Sequence, residues 1–338
     1  MIFDLIIVDI ISELKNSNLV GLGGAGFPTW KKWQAVKEAK NPRRFLICNL
    51  TEGEPGVFKD EYILQNHLSD LISGIVLATE TISAQKSFIY LNDNYKKYIR
   101  RIQPQIKGKK IEIFLDTGGY ITGEETTLLQ VIEGKLRQPR SRPPYPTEVG
   151  LFGFPTLINN AETFYRAWQI ANGNYQNKRF YSISGKNIAR RIIEQKVDAN
   201  VSDVLPEWLI KRAKFVQVGG ISGCFLPKDK FSEIVSGTGA IRIFENLSDI
   251  FSAFYESVSF LKSESCGKCA PCREGSYRVV EKIIDLKKSE NLWEKEEILS
   301  LIDDIAENAK ESSFCGLGKS IALPIESVIK NFKSELIK

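Results

Sequence analysis

The sequence predicts an α/β protein with a largely parallel sheet, followed by a small α+β region and a helical C-terminal region. Three observations lead there. Between residues 45 and 133, short apolar strand-like runs alternate with stretches of helical periodicity, the pattern of a parallel sheet covered by helices. After about residue 171 short strands predominate, at 181–185, 213–220 and 240–244, with helical segments between. From 247 onward the apolar spacing is helical and is interrupted twice, each time at cysteine.

The chain opens on an Ile/Val-rich run, 3–11. It contains Asp4 and Asp9, has no basic lead and is too short to cross a bilayer, so it reads as a buried strand or a helix start. A short helix over 10–19 leads into a glycine loop, 21–26. Thr29 is placed to cap a helix over 30–39. The run Phe-Leu-Ile-Cys-Asn-Leu at 45–50 is a strand. Helical periodicity covers 61–80, a strand 87–91, a helix 95–105 and a strand 110–116. That last strand runs into a second glycine loop, 118–123, and a helix over 124–133. The proline-rich run 137–146 fits neither a helix interior nor a central strand, so it crosses the surface as a stiff extended segment.

A length of 338 residues allows two or three domains. Apolar and charged fractions are those of a soluble globular protein. The net charge of +5 is spread along the chain, and basic stretches such as 107–110 are short, which speaks against nucleic-acid binding. No run is long enough for direct membrane insertion, and no export signal stands out, so a reducing cytoplasm is expected. The lone histidine, His67, reads as a surface or hydrogen-bonded helix residue and leaves no histidine-based triad.

Cysteines carry the most chemistry. Cys266, Cys269 and Cys272 form C-x2-C-x2-C, and Cys315 follows far along. Three thiolates at that spacing wrap one face of an iron–sulfur cube, and a distant fourth closes the last corner, which favours [4Fe–4S]. Zinc, which prefers two C-x2-C pairs, and disulfides, strained at this spacing, are the alternatives. Cys48, in an apolar strand, and Cys224, in a glycine-rich loop, read as small buried residues outside the metal site.

The first loop, Gly21-Leu-Gly-Gly-Ala-Gly26, satisfies G-x-G-x-x-G. Yet a helix rather than a strand precedes it, and Pro28 follows, so it is not an ordinary dinucleotide fingerprint. It is either a structural glycine turn or a loop of open backbone N–H groups suited to a phosphate or a flat ring. The second loop lies between a strand and a helix, a favourable place for a nucleotide. That helix opens with Glu124 and Glu125, which stabilise its dipole or accept hydrogen bonds from ribose hydroxyls or a carboxamide. Glu52 and Glu54 follow the strand at 45–50, either in a polar turn or facing ligand at the strand's carboxyl end.

Longer motifs extend these readings. They include Gly21-Leu-Gly-Gly-Ala-Gly-Phe-Pro-Thr-Trp-Lys-Lys-Trp33, Asn49-Leu-Thr-Glu-Gly-Glu-Pro-Gly-Val-Phe-Lys-Asp60, Gly123-Glu-Glu-Thr-Thr-Leu-Leu129, Pro143-Pro-Tyr-Pro146, Gly153-Phe-Pro-Thr-Leu-Ile-Asn-Asn-Ala-Glu-Thr163 and the cysteine run. In these the chain resembles the NADH-binding, FMN-containing subunit of bacterial respiratory complex I. Equivalent subunits occur in multimeric [FeFe]-hydrogenases and NAD-dependent formate dehydrogenases. The motifs keep the family's order from about 13 to 324.

The resemblance implies a Rossmann-like FMN domain (1–172), a small ubiquitin-like β-grasp domain (173–246) and a C-terminal helical bundle holding the cluster (247–338). It implies FMN, a [4Fe–4S] cluster and NAD(H) as cofactors. Gly21, Gly23, Gly24, Gly26 and Lys32 would hold FMN. Asn49, Glu52, Tyr120, Gly123, Asn159 and Asn160 would do the same. Phe27 would stack near the nicotinamide nucleotide, and Glu54, Glu124, Glu125, Arg142 and Tyr145 would line its site. The implied activity is an NADH dehydrogenase that passes single electrons through the cluster to a small [2Fe–2S] subunit and a larger iron–sulfur subunit, which would also bring it to the membrane. The same module in an electron-bifurcating hydrogenase, a formate dehydrogenase or an NADP transhydrogenase is one alternative, and a cluster scaffold without FMN is another. NADH is expected over NADPH, because Glu54 would repel a 2′-phosphate, although Arg142 could pair with one. The chain departs from the family at Leu22 (usually arginine), Thr51 (aspartate), Ala35 (an adenine-stacking aromatic, for which Trp30 or Trp33 could stand in), Arg142 (lysine) and Tyr145 (phenylalanine).

Overall fold

A computed structural model describes residues 9–338. The first part of the Ile/Val-rich run, 1–8, lies outside the described residues. Four parallel strands, β1 (Phe45–Leu50), β2 (Lys86–Asn92), β3 (Ile111–Asp116) and β4 (Thr156–Asn160), form one sheet in the order β3-β2-β1-β4. Alternate side chains of β1 feed two cores. Leu46, Cys48 and Leu50 enter a large cluster on one face, and Phe45 and Ile47 a smaller one on the other. The large core is covered by α1 (Ile10–Asn16), α2 (Thr29–Lys37), α3 (Lys59–Asn66), α4 (Leu68–Thr81) and α5 (Ile99–Ile106). The opposite face is covered by α6 (Glu125–Ile132), and α7 (Ala161–Ala171) returns to the first. The strand order reverses between β1 and β4, which makes a crevice at their carboxyl ends.

Three local readings need correction. The periodicity at 61–80 belongs to two helices, because His67 leaves helical geometry (φ −132°) and stacks against Tyr165 and Phe180. The stretch 95–105 begins as a 3-10 segment, Asp93–Tyr98, before α5. Thr29 does not cap α2; it is already helical behind Pro28, and its buried Oγ1 has no partner. Pro28 instead bridges to Val20, and Gly21 N–H donates to Phe27 O at 2.8 Å, so the first glycine loop is a closed excursion between two helices.

A second sheet holds β5 (Lys178–Gly185), β6 (Ile188–Lys196), β7 (Ala213–Val218), β8 (Cys224–Pro227) and β9 (Ala240–Glu245), ordered β6-β5-β9-β7-β8. Only β5 and β9 run parallel. Short helices α8 (Val201–Val204) and α9 (Glu207–Arg212) join β6 to β7 and fill the core beneath. A central parallel pair between two hairpins, with the helical crossover after the first, is the β-grasp arrangement. Cys224 opens β8 and is half-buried, not buried in a loop.

The rest is helical: α10 (Ile250–Ser263), α11 (Ala270–Lys288), α12 (Leu292–Ser312), α13 (Gly316–Ser320) and α14 (Ala322–Leu336). They share one apolar core that also takes in Phe215 and Phe225 of the second sheet. Among the described residues no helix is long and apolar enough to cross a membrane.

Candidate active site

Register places Cys48 beside Asn159 and Asn49 beside Asn160, at the carboxyl ends of β1 and β4. A cavity of 810 Å³ opens there, walled by both glycine loops, the proline-rich segment and the start of α13. Asn49 is fixed from two sides. Its Nδ2 donates to Gly123 O at 2.8 Å, and its Oδ1 accepts from Thr51 N–H at 3.1 Å and Thr51 Oγ1–H at 2.5 Å. Asn159 accepts from the Trp33 indole N–H at 3.2 Å. The glycines permit close approach, since a Cβ on Gly23 would lie 3.1 Å from Asn160 Cβ and one on Gly123 2.9 Å from Thr51 Oγ1. Gly24 and Gly26 do not line the cavity. Their φ values of +118° and +64° turn the loop, and Gly24 faces Thr238 of the second sheet's loop.

Beneath Asn160 lies a charged network whose members, Lys59, Asp60 and Glu162, stand in the motifs but draw no role from the sequence. Lys59 Nζ donates to Asp60 Oδ1 and to Asn160 Oδ1, each at 2.8 Å, and stands 3.7 Å from Glu162. Asn160 Nδ2 donates to Asp60 Oδ2 at 2.9 Å. Glu52 borders this group, accepting from Asp60 N–H at 3.0 Å and the Tyr95 hydroxyl at 2.9 Å, while its buried Oε1 has no partner. Lys59, Asp60 and Glu162 are all buried, so two carboxylates share one buried ammonium, and Arg166 reaches Glu162 as well as Glu194.

Desolvation first, and then the charge of Asp60, pushes the Glu52 carboxyl up to about 8. The folded state therefore holds a proton that the unfolded chain has already released. Stability from this group is fully present below the ordinary glutamate value and is lost as pH rises through about 8. Glu52→Gln keeps an oxygen for the two donors but cannot titrate. Its urea midpoint is expected to change less between pH 5 and 8.5 than that of wild type; parallel profiles would refute the assignment.

The outer cavity is differently built. Phe27 and Tyr145 line it with rings that are 47% and 53% exposed. Glu124 Oε2 caps α6, accepting from the N–H groups of Thr126 and Thr127 at 3.0 and 2.8 Å, so its dipole role is real. Glu125 bonds Lys32 at 2.6 Å and Arg142 at 2.9 Å, and Arg142 also reaches Glu124 at 3.3 Å. Glu54 is buried, and burial raises its pKa. One of its oxygens already accepts from Ser222 N–H and Oγ–H at 3.1 and 3.2 Å, which leaves the partnerless Oε2 for a ligand. Burial, then the charge of Glu54, likewise holds the Tyr120 phenol above its usual range.

Departures from the family pattern find physical places. Leu22 is buried in the large core, and its N–H donates to Thr163 Oγ1 at 3.0 Å. Ala35 lines the cavity, but neither tryptophan stands in for an aromatic there. Trp33 is fully buried, and Trp30 packs between Lys15 and Lys31.

All four motif cysteines meet the same helical core, Cys269, Cys272 and Cys315 within it and Cys266 against it. Cys269 directly precedes α11 and Cys315 directly precedes α13. Gly318 has no room for a side chain, since its Cβ would meet Ser313 Cβ at 2.6 Å and Cys272 Cβ at 3.1 Å. Burial pushes the Cys272 thiol up to about 11 and raises that of Cys315, so a metal must displace protons to bind. Among the described residues no three His, Cys, Asp or Glu side chains close on a single metal ion. Cys266, Cys269 and Cys315 all stand near enough to Cys272 to act on its thiol, and in a cube each thiolate would take a separate iron. Gly316 and Leu317, directly after Cys315, line the cavity, so cluster loop and cavity share a wall.

Comparison with known proteins matches two stretches of the chain. A model of the Nuo51 FMN-binding domain matches residues 14–169, and one of the NADH-ubiquinone oxidoreductase-F iron–sulfur binding region matches 252–338. The matching subunit of the NADH-quinone oxidoreductase of Aquifex aeolicus is 32% identical over 97% of this chain and 85% of its own length. The chain belongs to this family. Its members include the corresponding NADH-quinone oxidoreductase subunit of Rickettsia bellii, 33% identical over 97% of this chain and 89% of that one. The mitochondrial NADH-ubiquinone oxidoreductase 51 kDa subunit of Aspergillus niger is 30% identical over 97% and 75%. Among solved structures, the NAD+-reducing [NiFe]-hydrogenase in its H2-reduced state superposes with a TM-score of 0.88 at 29% identity. That match covers 97% of this chain and 62% of the hydrogenase chain, so the chain spans less than two thirds of that neighbour. The cavity with its close glycines fits FMN, and the gathered thiols fit the cluster.

Proposed function

We propose that this chain oxidises NADH through FMN and hands the electrons singly to a [4Fe–4S] cluster and on to partner iron–sulfur subunits. The observation that carries the reading is the shared wall, where Gly316 and Leu317 border the cavity next to the ligand Cys315. Bound FMN supplies the chemistry, accepting a hydride and releasing electrons one at a time. The chain supplies binding and orientation. Gly21, Gly23 and Gly123 let the ring system and phosphate approach the backbone, while Asn49, Asn159 and Asn160 present fixed polar groups. Phe27 and Tyr145 offer open rings for the nucleotide, and Glu54, with one oxygen unpartnered, lines the same cavity. Cys266, Cys269, Cys272 and Cys315 hold the cluster.

The two remaining cysteines, Cys48 and Cys224, are far from chelate spacing, so the cluster's electrons need a centre on another chain. Two partners take that role, a small [2Fe–2S] subunit and a larger iron–sulfur subunit. The likeness to the NAD+-reducing hydrogenase supports a second reading, the same module inside a hydrogenase, and co-purifying chains distinguish the two. The isolated chain, loaded with flavin and cluster, is expected to reduce artificial dyes with NADH. With its physiological acceptor it is expected to be inactive until the partner subunits are restored. A purified chain that takes up no FMN would sink the reading, and full activity alone toward the physiological acceptor would make it a self-contained reductase.

A further inference from the structure

Four basic side chains line the cavity: Lys31, Lys32, Lys59 and Arg142. Three are already matched. Lys32 pairs with Glu125, Arg142 with Glu124 and Glu125, and Lys59 with Asp60 and Glu162. Among the described residues Lys31 has no carboxylate partner. Its ammonium lies 5.6 Å from the centre of the Trp30 ring, which also meets Lys15 at 5.1 Å. Two cations thus converge on one ring with no acid between them.

Its place in the fold deepens the imbalance. Lys31 and Lys32 stand in the first turn of α2, which contains no acidic residue. A cation there opposes the helix dipole, and an anion beside it removes the opposition. Lys31 and Ala35 stand one turn apart on α2 and line the outer cavity together with Phe27 of the preceding loop. These three offer an open ring, a free charge and a methyl group, while Tyr145 stands among the other lining residues with its ring also exposed. A flat base between aromatic surfaces with a phosphate at Lys31 satisfies every member of that set.

We propose that Lys31 is a phosphate-binding residue of the pyridine-nucleotide site and helps set which nucleotide the chain accepts. This rests on the nucleotide reading given above. The phosphate has two sources, the diphosphate common to NADH and NADPH or the 2′-phosphate of NADPH alone. The flavin phosphate is not the ligand, because Lys31 is exposed at the mouth whereas Lys32, one residue on, is half-buried and held by Glu125.

The test uses the FMN-loaded full chain and two redox-inert probes, ADP-ribose and 2′-phospho-ADP-ribose, with dissociation constants from calorimetry. Lys31→Ala is expected to weaken at least one probe about tenfold and to flatten its salt dependence. Lys31→Glu should weaken it further, and Lys31→Arg should restore it. Equal losses for both probes assign the diphosphate; a loss confined to the phosphorylated probe assigns the 2′-phosphate. Bound flavin should be unchanged throughout, which also reports folding. Wild-type affinity of Lys31→Ala and Lys31→Glu for both probes, or a loss of FMN alone, overturns the proposal. A wild-type chain that binds neither probe overturns the nucleotide reading itself.

Discussion

Replacing Cys315 with alanine is expected to strip the chain of its cluster. Bound iron, measured anaerobically, should fall from about four per chain to near zero. The C-x2-C-x2-C run spans only one face of a cube, and Cys315 is the distant ligand proposed to close it. Nothing nearby replaces it, because Ser313 is packed against Gly318 and no histidine exists outside His67. Cys315 immediately precedes α13, and Gly316 and Leu317 of its first turn line the cavity. Loss of the cluster should therefore loosen Leu317 and the cavity wall, and flavin should be held more weakly as well. Cys48→Ala and Cys224→Ala are the controls, both expected to keep their iron. Full iron in Cys315→Ala would show that the fourth ligand lies elsewhere.

That the four cysteines share one helical core was legible because the spacing of the first three is local and chemically specific. The same holds for β1, whose six residues are apolar but for Asn49 and therefore announce a strand buried on both faces. Elements that tertiary structure alone justifies were not legible. Strand β6 carries Arg190, Arg191 and Glu194 on exposed positions and shows no apolar alternation; pairing with β5 is what makes it a strand. Glu54 reads as a nucleotide ligand, yet half of its bonding capacity goes to Ser222, 168 residues away. The network around Lys59 was invisible for a similar reason. Lys59-Asp60-Glu61 looks like a solvated helix start, and only the parallel register of β1 and β4 brings Asn160 and Glu162 down on it.

Lys59 is accordingly the residue whose loss should cost the fold most. It is 2% exposed, and its ammonium answers Asp60, Glu162 and Asn160 at once. Lys59→Met keeps the length and volume but leaves the carboxylates of Asp60 and Glu162 buried without it. Breaking a buried pair from one side costs about 3–5 kcal/mol, far more than the pair itself contributes when intact. The urea midpoint should fall accordingly, and FMN should bind more weakly because Asn160 loses the donor that orients its carbonyl. The deficit should also depend on pH. Burial already raises the Asp60 carboxyl and Lys59 is what opposes it, so without the lysine Asp60 is driven further toward holding a proton in the folded state. Stability from a group shifted that way is lost as pH rises, and the deficit at pH 8 should exceed that at pH 5.5. The double variant Lys59→Met/Asp60→Asn removes one stranded charge and should recover part of the loss, giving a coupling energy that a simple packing defect would not. A Lys59→Met loss below about 1 kcal/mol, equal at both pH values, would mean that water reaches the network and that the carboxylates were never dependent on this lysine.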